Sequence, residues 1–374
     1  MTANRQGRRW ARGWPWAVPV VTAGIVVAGF QLMSPASAAT HPNLPTRTAA
    51  QLLAAVQTST TQALSGTVVE SAALGLPSLP GADNSASLSW QSLVIGSHTA
   101  RVWVAGPDKQ RVALLGTLSE SDVIHDGNDV WTYTSSSNEV THTVLPAHDS
   151  SRSKTSPPDA VPDTPMSVAN QILKAIDPST RVTVDSTRVV AGHAAYTLML
   201  VPRDTRSTIK KVTIALDSKH FVPLQVQVFG SGSKPAFQIG FSRGLSFATP
   251  SSSVFQFHVP AGATTTTNPL IGREDHGRHG NRGANAPTSA PRATATGAPK
   301  VIGSGWTTIA YFAHGLPTGS AGGLLDQATN PVGSSGDRML STSLLNVLFT
   351  KDGRVFLGAV TPSVLEQAAA TTPR

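Results

Sequence analysis

The chain has 374 residues, 40% hydrophobic and 13% charged, enough for a large core and a small second domain. Its net charge of +8 comes mostly from Arg5, Arg8, Arg9 and Arg12 and from a surplus of three positive charges between 271 and 300, which leaves +1 elsewhere. A basic nucleic-acid-binding face is thereby excluded, and the lack of cysteine excludes disulfides, a lipidated cysteine and thiolate chemistry.

The four arginines precede an apolar run from Ala17 to Met33 and the small-residue series Ala36-Ser37-Ala38. That order predicts a secretory signal peptide over 1–38, with an uncleaved membrane anchor as the competing reading. Either way the chain is expected to be exported and to work on the outer side of the cell membrane. Next, Leu52, Leu53 and Val56 form an apolar stripe at helical spacing, which predicts a helix over 47–63 capped by Thr46 or Thr48. SGTVVES reads as a first strand, and LGLPSLPGADNSA is too rich in proline and glycine to be regular.

From Leu88 to Leu145 short strands follow one another, among them HTARVWVAG, QRVALLGT, SDVIH, DVWTYTS and EVTHTVL. Asp126-Gly127 suits a hairpin turn between the third and fourth of these. Residues 146–163 read as a long polar loop. Thr164-Pro165 then opens a second helix, whose Val168, Ile172 and Ile176 share a face, and Asp177-Pro178 ends it. Strands resume with RVTVDS, YTLMLVP, VTIALD, LQVQVF and FQIGF, and VFQFHVP over 254–260 reads as the last. In LQVQVF and FQIGF large apolar residues alternate with Gln and Gly, so one face of a sheet is apolar and the other polar. Residues 261–300 hold almost no large apolar residue and read as a disordered linker. Beyond it GWTTIAYF, LLNVLFT and VFLGAV predict three strands, with a glycine-rich loop over 315–337, an Asp352-Gly353 turn and a helix opening at Thr361-Pro362.

No catalytic constellation emerges. His98, His125, His142, His193, His220 and His258 lack metal-ligand spacing, and Glu120 with Asp122 has no partner that would divide acid from base. Gly230-Ser231-Gly232-Ser233-Lys234 lacks phosphate-loop spacing and leads through Pro235 into a strand, so it reads as a hairpin loop.

The segment with Asp126, Gly127, Trp131 and Tyr133 is similar to the dG-x-x-x-W-x-Y stretch of the LolA-like lipoprotein-carrier superfamily. Asp217 and Pro223 in VTIALDSKHFVPLQVQVF resemble that superfamily's later strand pair, and the helix TPMSVANQILKAID lies between the two in the family order. The resemblance covers roughly 45–260 and is greatest toward actinobacterial members. It implies a mainly β fold, an incomplete antiparallel β-barrel whose concave apolar face is covered by helices, here over 40–260; the three strands and the helix beyond the linker read as a small α+β domain over 301–370. It also implies an arginine that ties barrel to lid, for which Arg101 and Arg111 are the candidates.

The function so implied is non-enzymatic carriage of lipid or lipoprotein acyl chains, by a monomer that needs no cofactor or metal. The expected lipid-binding residues are Trp103, Trp131, Tyr133, Leu198, Leu200, Ile214, Leu216, Val226, Val228, Phe237, Ile239 and Phe241. The alternative is a regulator of envelope stress similar to the RseB type, which acts through a membrane protein partner.

Overall fold

The computed structural model describes residues 41–75, 96–116, 118–145, 164–174, 176, 178–269, 300–313, 329–333 and 336–373. The expected signal or anchor over 1–38, the loop 146–163 and residues 270–299 of the expected linker lie outside them. Among the described residues no helix is long and apolar enough to cross a membrane.

The first helix, α1, spans Ala49–Gln57, shorter than the expected 47–63. Thr48 caps it reciprocally: its hydroxyl accepts from the Gln51 N–H at 3.2 Å while its own N–H donates to Gln51 Oε1 at 2.8 Å. It stops at Thr58, whose hydroxyl donates back to the Ala54 carbonyl at 2.9 Å. The Thr58-Ser59-Thr60-Thr61 run that follows offers hydroxyls that compete with helical hydrogen bonds.

Six strands then run as a meander: β1 (Ala63–Ala72), β2 (Gly96–Ala105), β3 (Lys109–Leu115), β4 (Glu120–Asp126), β5 (Asp129–Thr134) and β6 (Glu139–Val144). The β4–β5 turn is Gly127-Asn128, one residue later than expected, because Asp126 pairs with Asp129 and Gly127 takes the positive φ of 68°. Helix α2 (Pro165–Lys174) leads to the far edge of the sheet. From there β7 (Thr180–Val190), β8 (His193–Pro202), β9 (Lys211–Asp217), β10 (Pro223–Phe229) and β11 (Phe237–Ser246) work back inward. β11 pairs with β1, and register shifts between Ser65 and Val68 mark that seam.

VFQFHVP is not a strand. Ser252–Phe255 is a 3-10 turn and the chain crosses β3 and β4 as a strap. Its apolar residues are anchors on a sheet face: Phe255 is 1% exposed and Phe257 stacks on Trp131. The expected linker also starts later, because Thr264–Pro269 forms β12, parallel to β6. An edge strand needs only backbone donors and acceptors, and threonine suits the extended backbone. The sheet order is β12-β6-β5-β4-β3-β2-β1-β11-β10-β9-β8-β7. Its end strands do not meet, so this is the open, incomplete barrel that was expected.

The second sheet has six strands where three were expected: β13 (Lys300–Ile302), β14 (Ile309–Phe312), β15 (Asn330–Val332), β16 (Asp337–Ser341), β17 (Asn346–Phe349) and β18 (Val355–Gly358). Three of the six are outside the expected strands, and β15 falls inside the expected glycine-rich loop. GWTTIAYF divides into a 3-10 turn at Gly305–Thr307 and β14. Helix α3 (Pro362–Thr371) seals this sheet with Leu365, which is fully buried, and Ala368.

The two sheets are joined by backbone. Thr208 N–H donates to Ala359 O at 3.0 Å, Thr361 N–H to Arg206 O at 2.9 Å and Ser343 N–H to Leu74 O at 2.9 Å. Trp306 adds a bond from its indole N–H to Thr180 Oγ1 at 2.7 Å and packs against the larger core.

Candidate functional site

Strand register assigns every expected site residue to one of two faces. Val184, Leu198, Ile214, Val226, Ile239 and Glu70 lie directly across from one another in one row, and Val182, Leu200, Val212, Val228 and Phe237 in the next. Phe241 pairs with Val68, and that row continues through Ala100. These residues share the apolar face with Leu216, and α1 and α2 cover it. Trp103, Arg111, Ile124, Trp131 and His142 form another row, and Arg101, Ala113, Asp122, Tyr133 and Val140 its neighbour. Trp103 pairs with Ser65 and Arg101 with Thr67, next to Val68 and of opposite parity, so these rows lie on the other face.

The expected twelve therefore do not form one site. Nine belong to the helix-covered face; Trp103, Trp131 and Tyr133 do not. Among the nine, Leu198, Leu200, Ile214, Leu216 and Val226 are 0% exposed, Ile239 1% and Phe241 4%. No water-sized space touches the first five, because helix residues Leu52 and Ala169, themselves 0% exposed, complete the same core. Around them α1 contributes Leu53 and Val56, and α2 contributes Met166, Ile172 and Leu173, all partly buried. The helices fill the space above this apolar face.

The tie between sheet and helix is not made by Arg101 or Arg111, which lie on the opposite face. Arg47, one residue before the α1 cap, lies 5.0 Å over the Phe221 ring in the β9–β10 turn. At the other end of α1, the Ser59 hydroxyl donates to His220 O at 2.8 Å. The chain before α1 is held too: Tyr196 donates to Pro45 O at 2.8 Å, and Thr187 to Pro42 O at 2.8 Å. Below Phe221, Asp217 is 2% exposed and accepts from the N–H groups of Lys219 and His220 and from the His220 ring at 2.7–2.9 Å. That turn is a rigid anchor for one side of α1.

The other face is closed over β3–β6 by the strap. Arg111 donates to Asp122 Oδ2 at 2.7 Å and to Val254 O at 3.3 Å, and its guanidinium lies 5.4 Å over the Trp103 ring. Trp131 is sandwiched between His142, stacked at 3.8 Å, and Phe257 at 5.2 Å. Burial, then the Asp122 carboxylate, push the Glu120 carboxyl above its ordinary value, against Arg111 and Arg101. A raised acid favours the protonated fold, so this group's contribution is lost as the pH rises through the raised value. Glu120→Gln is accordingly expected to melt slightly above the wild type at pH 7, with the gap closing near about pH 4; parallel thermal melts check it.

No family model matches the sequence, and none of the curated proteins matches it. Solved structures do align with it. A chain of the Pseudomonas aeruginosa MucA/MucB complex aligns at 14% identity and a TM-score of 0.41, over 85% of this chain and 94% of that one. A conserved protein from Thermus thermophilus aligns at 11% and 0.33, over 59% and 99%. A LolA-superfamily protein from Nitrosomonas europaea aligns at 11% and 0.23, over 57% and 99%. At such identities and TM-scores the likeness carries no argument; the sheet order and the helix-covered apolar face are what describe the fold. The fold is an open, incomplete antiparallel β-barrel whose apolar face is covered by helices.

In this sheet the alternating strands were readable from sequence and the contact of Arg47 with Phe221 was not. Arg47 carries no motif. Its only signal is position, just ahead of a capped amphipathic helix.

Proposed function

We propose that this LolA/RseB-like protein is a non-enzymatic, exported carrier of lipid or lipoprotein acyl chains, with α1 and α2 as a lid that the chain displaces. One observation carries the reading: an apolar face of large aliphatic side chains is closed by two short helices and not by a second sheet. The energies are compatible with reversible opening. Together the helices place about six or seven apolar side chains on that face, each at most about 1.5–3 kcal/mol when fully buried. A sixteen-carbon acyl chain carries roughly 12 kcal/mol at about 0.8 kcal/mol per methylene. The two terms are of one order, as exchange of lid for cargo requires.

Lipid extraction and native mass spectrometry of the purified chain are expected to reveal a bound acyl lipid. Leu52→Ser, which weakens the seat of α1, is expected to take up a fluorescent fatty acid faster than the wild type. A chain that yields no lipid and takes up no fatty acid with either residue at position 52 is not a carrier.

The docked second sheet favours a second reading, a regulator of envelope stress that engages a membrane protein through both domains. Its support is the set of backbone hydrogen bonds between the sheets and the open cavity of about 300 Å³ at their junction, lined by Ala73, Lys234, Pro235 and Ser343.

A further inference from the structure

We infer that the polar face of β7–β11 holds a binding site for an oxyanion, a phosphate or carboxylate group, centred on Arg188. The register shift between Asp185 and Arg188 swings this arginine over the neighbouring strands. Its Nε donates to Thr197 Oγ1 at 3.1 Å, and its Nη1 to Gln225 Oε1 at 3.2 Å and to Gln227 Oε1 at 2.9 Å. A guanidinium can only donate, so it fixes both glutamines with their oxygens inward. The amide of Gln227 then donates to Gln238 Oε1 at 2.7 Å, and this turns the Gln238 amide nitrogen outward in turn. Thr213 spends its own donor on Gln227 Oε1 at 3.1 Å.

What Arg188, Gln225 and Gln238 leave over is N–H donors. Among the described residues, Arg188 Nη2 and the amide nitrogens of Gln225 and Gln238 donate to nothing, and none of the three is a buried atom. The side-chain carbonyl oxygens of Gln225, Gln227 and Gln238 each accept a bond inside the network. The outward side is therefore an array of N–H donors around one cation, and no carboxylate hydrogen-bonds to that cation. Burial lowers the affinity of Arg188 for its proton, and Asp185, exposed at the strand edge, is the charged group that opposes this. A half-buried cation whose hydrogen-bond partners are all neutral is stabilised by a further anion that it can reach.

Two further features fit a built site. Gln225 lies flat across Gly240, where a Cβ would fall 2.9 Å from its Cγ, so the glycine makes the room that aims the amide. In the same row as Gln227 and Gln238, Thr183 Oγ1 is buried with no partner. This face is opposite the one proposed for acyl chains, and the inference does not depend on that reading.

The test follows the Arg188 side-chain N–H resonances of the full chain by NMR, in two arms. Inorganic phosphate is the free-ion arm; phosphatidylcholine vesicles with and without phosphatidylglycerol are the headgroup arm. A shift with phosphate assigns a free oxyanion, and a shift only with phosphatidylglycerol assigns a lipid headgroup. No shift with either overturns the proposal. Arg188→Gln, followed through the side-chain amide resonances of Gln225 and Gln238, should weaken binding about tenfold or more. Gln225→Glu supplies an internal carboxylate to Arg188, so it should abolish the response while the melting temperature stays level or rises. If Gln225→Glu binds like the wild type, the site is not at Arg188.

Discussion

Arg111→Met is expected to lower the free energy of unfolding by about 3 kcal/mol, at the lower end of the range for orphaning one member of a buried ion pair. Asp122 is 6% exposed, and its Oδ1 has no partner even in the intact protein. Removing Arg111 leaves its Oδ2 alone as well, in a site sealed by the strap and the Trp103 ring. The lower end applies because about a quarter of the Arg111 side chain, 26%, remains exposed, so solvent screens part of the pair. The loss is not only electrostatic. Val254 O gives up its donor, and with it the strap that carries Phe255 and Phe257. Urea denaturation should show the midpoint falling, and Trp131 emission should shift to the red as Phe257 lifts away. Asp122→Asn placed on top of Arg111→Met should recover much of the loss, since a neutral amide is cheaper to leave buried. A single variant that loses under about 1 kcal/mol would mean that water already reaches Asp122.

The case of Arg111 also marks what could be read from the sequence and what could not. LQVQVF and FQIGF declare their two faces locally, because parity along a strand is a property of consecutive residues. Val226 and Ile239, on the apolar side of those two segments, lie across from each other, and Ile214 and Leu198 continue their row. Parity between distant strands is not local. Whether Trp131 shares a face with Val226 depends on the pairing of Val68 with Phe241 and of Arg101 with Thr67, between residues more than thirty positions apart. One residue of slip at that seam would have put both on the same side. VFQFHVP misled in the opposite way: its alternation is real, but Phe255 and Phe257 grip a sheet face while the backbone between Pro250 and Pro260 joins no ladder. TTTTNP was read as linker because it buries nothing. As an edge strand it need not bury anything, since its partner is the backbone of β6.

Gly230→Ala is expected to undock the two sheets. Gly230 sits in the β10–β11 loop, and a Cβ there would lie 2.3 Å from the Ser343 carbonyl oxygen and 3.2 Å from its carbon. Both are backbone atoms, so no rotamer relieves the clash and one of the two loops must move. The Ser343 loop is held on one side by its N–H to Leu74 O and its hydroxyl to Ala73 O, and on the other by Thr208 through Leu344 O. Moving it breaks several bonds of about 1 kcal/mol each, on top of about 1–3 kcal/mol for the overpacking itself. Together that is on the order of 3–5 kcal/mol, comparable with a whole small interface. Calorimetry should then show two transitions in place of one, the smaller from the sheet that carries α3. Gly232→Ala is the control: a Cβ there meets nothing closer than 3.9 Å, so the single transition should persist. The same variant separates the two functional readings. A carrier whose cargo lies under α1 and α2 keeps most of its acyl uptake when the sheets part, because that face is built from the first sheet and its helices, with Trp306 reaching its core from the second domain. A regulator that grips its partner with both domains loses binding while fatty-acid uptake stays intact. Undocking that abolishes uptake would contradict the placement of the cargo site on the first sheet.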